Sequence, residues 1–311
     1  MKTNLHTVLG ASGAVGQSVL QVLKDKEILT RAVARSQSFE GVENLSADLL
    51  NRKDVDRAVA NSSVVYLCVG LQYNTEVWKR DWPLLMKNVI DACIKYDAVL
   101  VFLDNVYMYG PAPLSIPFDE NHEEYPTTGK GKVRKEIDDM LMMAFKERQL
   151  KGVIARAADF FGPKAINSVF YVSFLERMLK RKAPQSFLYP GIKHTYANTV
   201  DLGRAIVELA LEPSAYGQVW HLPVGDPISV EEMCEVFNEV MGTSYRVSFI
   251  GSTMLKIISL VMPILKEFDE MLYQFKEDYI MSYEKFQTQF PDFKPTPYRD
   301  VARMMVESFR K

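Results

Sequence analysis

The residues best suited to chemistry stand close to the start of the chain. Thr7, Val8 and Leu9 form a short apolar run that passes into Gly10-Ala11-Ser12-Gly13-Ala14-Val15-Gly16 and then into an amphipathic segment. Glycines at this spacing let a chain turn tightly, bring its backbone close to a pyrophosphate and press a helix onto a strand. The first turn of that helix offers unpaired N–H groups and a partial positive charge to phosphate oxygens. Strand, turn and helix together are the context in which the pattern signifies a dinucleotide. Gly10, Ser12, Gly13, Ala14, Val15 and Gly16 are therefore candidate cofactor contacts. The next apolar run ends Ala32-Val33-Ala34-Arg35-Ser36. NAD-binding chains typically place an acid there for the ribose 2′-hydroxyl. Here no carboxylate repels a 2′-phosphate. Arg35 can pair with that phosphate and stack on adenine, and Arg31 is a weaker candidate because it falls within the strand. The expected cofactor is NADP(H), with NAD allowed.

The elements that must hold this turn follow from the hydrophobic pattern. Strand-like runs at 7–9, 29–34, 64–69, 98–103 and 153–155 alternate with helical patterns at 15–24, 82–96 and 132–148. Several runs are continuously apolar, as in strands covered on both faces. The prediction is an α/β fold: a Rossmann-type doubly wound parallel sheet with a smaller, mostly helical C-terminal substrate lobe. The division expected is 1–165, rejoined by about 190–212, and 166–311. A short strand is expected near 218–222, and Ser229 before Glu231 and Glu232 reads as a cap opening a helix over 230–240. Ligands of open α/β sheets bind at the carboxyl ends of the strands.

Composition narrows the partners. The chain has 311 residues, with 37 Lys and Arg against 39 Asp and Glu and a formal charge of −2. That balance recommends neither nucleic acid nor a membrane, and leaves a small-molecule substrate. Cys68, Cys93 and Cys234 are odd in number and lie in apolar surroundings, as buried free thiols of a reducing compartment do. No signal region is read at the start, so a cytoplasmic location is expected. The apolar stretch 254–265 is too short to span a membrane and reads as a buried helix. The aromatic and apolar residues of the last sixty positions suit a homodimer face as well as a core. His6, His122, His194 and His221 have no metal-ligand spacing, and no metal is expected.

Taken in order, the motifs resemble the short-chain dehydrogenase/reductase superfamily, in its extended and atypical branches that include nucleotide-sugar epimerases and dehydratases. Beside the glycines, the resemblance rests on Asp48-Leu49, Cys68-Val69-Gly70, Asn88, Val106-Tyr107-Met108-Tyr109-Gly110, Arg156 through Pro163, and His194 through Leu202. It implies that Asp48 and Leu49 meet adenine and that Cys68, Val69 and Gly70 line the path of the pyrophosphate and ribose. It also exposes two departures. Asn105 stands where the family has Ser or Thr. Aligning Asp119-Glu120 and Pro126-Thr127 with the family's approach to its catalytic helix puts Lys130 and Arg134 where a Tyr-x-x-x-Lys pair belongs.

Four-residue spacing places Lys130 and Arg134 on one helical face. Arg134 can then bond ribose hydroxyls, while Lys130, beside another cation, can serve as acid or base. Substrate contacts are expected from Asn105, Tyr107, Lys130, Lys164 and Asn167. The function implied is an NADP(H)-binding oxidoreductase or epimerase/dehydratase-like enzyme acting on a small polar substrate, such as a nucleotide sugar. The alternative is a catalytically silent dinucleotide sensor or regulatory protein.

Overall fold

A computed structural model describes residues 4–166, 168, 170–186, 189–251, 267 and 270–309. Asn167 and the stretch 254–265 lie outside the described residues. The chain forms two compact units, Met1–Met108 with Lys130–Ala157 and Leu202–Leu222, and Tyr109–Gly129 with Ala158–Asp201 and Pro223–Lys311.

The strands are β1 (Leu5–Leu9), β2 (Thr30–Val33), β3 (Glu43–Leu45), β4 (Ser62–Leu67), β5 (Val99–Asp104), β6 (Gly152–Arg156), β7 (Asp159–Phe161), β8 (Gln185–Ser186), β9 (Tyr196–Asn198), β10 (Gln218–His221) and β11 (Ser248–Phe249). The first unit is built on a seven-stranded sheet ordered β10-β6-β5-β4-β1-β2-β3. All its pairings are parallel, as the continuously apolar runs predict. The order reverses between β1 and β4, and such a switch point opens the crevice in which doubly wound sheets hold ligands. The glycine turn leaves β1 there. Helices α1 (Ala14–Asp25), α2 (Arg52–Val59), α3 (Thr75–Tyr96) and α4 (Gly129–Glu147) connect the strands. Leu9, Val65, Leu67, Trp82, Phe102, Ile137 and their neighbours form one core.

Two elements escape a sequence pattern. β3 has three residues, none fully buried, and α2 turns only Val55, Ala58 and Val59 inward from a charged segment. Local capping makes α2 a helix: the Asn51 side chain accepts hydrogen bonds from Lys53 N and Asp54 N. α3 begins at Thr75 rather than at 82. Asn74 caps it by accepting from Val77 N, and Pro83 sits inside the helix without ending it.

In the second unit β7 pairs with β9 and β8 with β11, both parallel. The short helix α5 (Glu176–Leu179) precedes α6 (Thr199–Leu211), which runs on into the first unit, and α7 (Val230–Met241) follows. The expected cap is present. Ser229 Oγ accepts from Glu232 N while Ser229 N donates to the Glu232 carboxylate, a reciprocal capping box. α7 packs on the helix Tyr298–Phe309 around Phe161, Phe174, Phe237 and Met305. Cys68, Cys93 and Cys234 are buried free thiols. No described helix is long and apolar enough to cross a membrane.

Candidate functional site

The glycine turn is laced to the strands beside it. Gly10 N and Ala11 N both donate to Val33 O at 3.1 Å, and Cys68 N donates to Leu9 O at 2.9 Å. Gly10 has φ +84°, and a Cβ there would lie 2.8 Å from Cys68 O. A Cβ on Gly16 would fall 2.3 Å from Gly10 O. The packing of the chain itself thus demands glycine at both positions.

Gly13 is different. A Cβ there would meet only Gly10 O at 3.4 Å and Cys68 O at 3.7 Å, and its φ of −71° suits any residue. Gly13 is the N-cap of α1, where no side chain caps the helix and no acid occupies the first turn. Ser12 and Gly13 are exposed, and Ala14 is half-buried. The helix N-terminus and its amide groups are therefore open to an anion.

The residues flanking the turn divide by what already engages them. Arg31 is buried in β2, with Nη1 donating to Ala58 O and Ala60 O at 2.8 Å and Nε to Glu43 at 2.9 Å. Its donors hold the end of α2, which corrects the reading of Arg31 as a second ligand for a 2′-phosphate. Arg35 is exposed just beyond β2, and its guanidinium has no partner among the described residues. Asp48 is exposed, and its Oδ1 accepts from Leu50 N at 3.0 Å. The buried amide of Asn88 donates to Leu49 O at 3.2 Å and Leu50 O at 3.1 Å, so it fixes the loop that carries Asp48 and Leu49. Burial pushes the Cys68 thiol up to about 12, which makes it a poor nucleophile. Val69 is half-buried and Gly70 exposed.

A second cluster lies where β5 ends. Asn105 Oδ1 accepts from Tyr107 N at 3.0 Å in a tight turn, and the Tyr107 ring stacks on Trp78. Lys130 is fully buried on α4; its Nζ donates to Thr75 Oγ1 at 2.9 Å and sits 4.6 Å from the centre of the Tyr73 ring. Arg134, one turn on, donates from Nη1 to Asp104 Oδ1 at 2.8 Å. Its guanidinium lies over Trp82 at 4.2 Å and Trp78 at 4.7 Å. The aromatic faces favour the cation, and the carboxylate compensates its charge.

Residues 6–219 match the model of the NAD dependent epimerase/dehydratase family. The chain belongs to that family. No curated protein matches this family member, but solved structures do. A UDP-glucose 4-epimerase from Thermotoga maritima, with UDP-glucose, is similar with a TM-score of 0.78 and 18% identity over 98% of each chain. A UDP-glucuronic acid 4-epimerase from Bacillus cereus in complex with NAD has a TM-score of 0.79 and 14% identity over 98% of each. A UDP-N-acetylglucosamine 4-epimerase from Bacillus cereus has the same score and identity over 98% of this chain and 96% of the other. At such identities the likeness is one of fold.

Within this epimerase/dehydratase-family chain, Asn105 follows the end of β5 and Arg134 binds Asp104 there, while Lys130 meets Tyr73 and Thr75 of the segment after β4. Tyr107 joins them, while the exposed Lys164 belongs to the second unit. Sequence reading missed Tyr73, Thr75, Asp104 and Asp138, and named Arg156 only as the start of a family-like stretch. Arg156 Nη2 donates to Asp138 Oδ2 at 2.6 Å, and both residues are buried. One signal was available for Asp138: it continues the four-residue series of Lys130 and Arg134 along α4. Among the described residues no group of three His, Cys, Asp or Glu side chains is arranged to hold a metal ion.

Proposed function

We propose that the chain binds NADP(H) at the Gly10–Gly16 turn and acts as an oxidoreductase or epimerase/dehydratase-like enzyme on a small polar substrate of the nucleotide-sugar class. Gly13 carries this reading. Its missing side chain is not required by the chain's own packing, and it stands at an uncapped helix N-terminus, so the residues fit a dinucleotide pyrophosphate. The relatives named for UDP-sugar epimerases support the substrate class. The family's description and the NAD-containing relative favour NAD. Arg35, exposed after a β2 that ends without an acid, favours a 2′-phosphate.

When bound, the dinucleotide supplies hydride chemistry, and the remaining tasks fall to side chains. The α1 amides and Arg35 hold phosphates, while Asp48 and Leu49 flank adenine. Cys68, Val69 and Gly70 line the path toward the substrate. Asn105, with Oδ1 engaged, directs its amide N–H groups to a substrate oxygen. Lys130 holds or moves the proton, and Arg134 keeps the facing side of α4 in place.

The test is a pair of dissociation constants, for NADP+ and NAD+, on the wild-type chain and on Arg35→Glu. A charge-assisted arginine–phosphate contact contributes about 1.5–3 kcal/mol, so wild type prefers NADP+ by about 10- to 100-fold and Arg35→Glu abolishes the preference. Wild type binding NAD+ as tightly as NADP+ refutes the 2′-phosphate assignment. Lys130→Met loses turnover of a UDP-sugar panel and keeps dinucleotide binding; undiminished turnover removes Lys130 from the chemistry.

One observation favours the silent sensor. Lys130 and Arg134 are both engaged internally, by Thr75 and Asp104. Tight dinucleotide binding without turnover of any panel member supports that reading.

A further inference from the structure

Four charged side chains are enclosed together at the carboxyl ends of β5 and β6. Asp104 ends β5, Arg156 ends β6, and the two face each other in register. Arg134 and Asp138 come from α4, four residues apart on one face. All four are buried, and on the α3 side the indoles of Trp78 and Trp82 close over Arg134. Arg134 binds Asp104 Oδ1, and Arg156 binds Asp138 Oδ2. Each carboxyl group therefore has one oxygen held by a guanidinium.

Arg156 adjoins both acids, with Nη2 at 2.6 Å from Asp138 Oδ2 and Nε at 3.9 Å from Asp104 Oδ2, so the two carboxyl groups flank one guanidinium as hydrogen-bonding neighbours. Ionised carboxylates only accept hydrogen bonds, so this contact is a repulsion unless a proton sits in it. Asp104 Oδ2 is completely enclosed and receives no hydrogen bond, with Arg156 Nε no nearer than 3.9 Å. A buried acceptor left in that state is costly, the more so when it is charged. One proton removes both penalties.

We propose that Asp104 and Asp138 share a single proton, which makes the pair a proton store at the carboxyl edge of the sheet. Two carboxyls that occupy one site commonly hold a proton between them, and it belongs to the pair rather than to either residue. Burial acts in the same direction and holds the Asp104 carboxyl above the usual carboxylate range, against the opposing pull of the Arg134 and Arg156 guanidiniums. Releasing the proton leaves two carboxylates against two guanidiniums, a neutral quartet, so the proton can be given up without stranding net charge. As a donor in turnover the store rests on the reading above and adds a proton-holding group two turns along α4 from Lys130; the shared proton itself does not depend on it.

The experiment reads the proton on the whole chain without substrate. Carbon-13 NMR of protein labelled at the aspartate carboxyl carbons, titrated from pH 5 to pH 8, will show a protonated-carboxyl resonance persisting well above the ordinary Asp value of about 3.9. Asp138→Asn, whose amide can donate to Asp104 as the proton did, loses that resonance. All aspartate carbons at the ionised position by pH 6 in wild type overturns the proposal, and this arm needs no variant to fold. A persistent resonance unchanged in folded Asp138→Asn also overturns it. Loss of turnover in Lys130→Met with the resonance intact leaves the store standing, so the two readings fail separately.

Discussion

Replacing Gly13 with alanine separates the folding of the glycine turn from its use. The new Cβ would lie 3.4 Å from Gly10 O and 3.7 Å from Cys68 O, close to ordinary contact distances. Alanine is a poorer N-cap than glycine by roughly 1 kcal/mol, and the loss of unfolded-state freedom returns about 0.4–1 kcal/mol. The net change in stability is within about 0.5 kcal/mol by that balance. At Gly16 the same methyl would stand 2.3 Å from Gly10 O and 3.0 Å from Ala11 Cα. Both are backbone atoms that cannot rotate away, so Gly16→Ala costs about 1–3 kcal/mol or more. Binding reverses the contrast in visibility. A methyl at Gly13 keeps a phosphate from the amides of α1, and loss of one charge-assisted hydrogen bond at about 1.5–3 kcal/mol weakens NADP+ by about 10- to 100-fold. Urea midpoints read stability, and calorimetric titration reads affinity. Wild-type affinity in Gly13→Ala would refute the phosphate cradle; destabilisation matching Gly16→Ala would refute the packing argument.

Two further outcomes follow from buried charge. Burial pushes the His6 imidazole down from 6.5 to about 4, so between those values the unfolded chain binds a proton that the folded chain does not. Stability therefore falls as pH drops through that window, by about 2 kcal/mol from pH 7 to pH 5; comparison of urea midpoints shows this loss missing in His6→Gln. Arg134→Met removes the guanidinium from Asp104 Oδ1 and costs about 3–5 kcal/mol, and the Arg134→Met, Asp104→Asn double variant recovers part of it. A double variant no more stable than Arg134→Met alone contradicts the pairing.

The parts of the chain legible in its sequence are those whose cause is local. The glycine turn, the apolar runs of β1, β2, β4, β5 and β6, and the box of Ser229 and Glu232 each depend on residues a few positions apart, and each can be read from type and spacing. β3 and α2 were not legible because they are short and turn few apolar side chains inward. α3 was read late because its start depends on one polar cap at Asn74, and Pro83 inside it resembles a boundary.

The sequence by itself determined the fold class and the position of the glycine turn, because tight turns and buried faces restrict residue type at each position. Tertiary structure alone decided which cations remain for a ligand. Arg31 and Arg35 are four residues apart and chemically alike, yet one is anchored to the end of α2 and the other faces solvent. It also decided that Asp104, Arg134, Asp138 and Arg156 form one enclosure. Their meeting depends on the parallel register of β5 with β6 and on the face that α4 turns inward. Arg134 and Asp138 keep a helical spacing, but Asp104 and Arg156 are brought to them by distant strands and leave no periodic trace in the sequence.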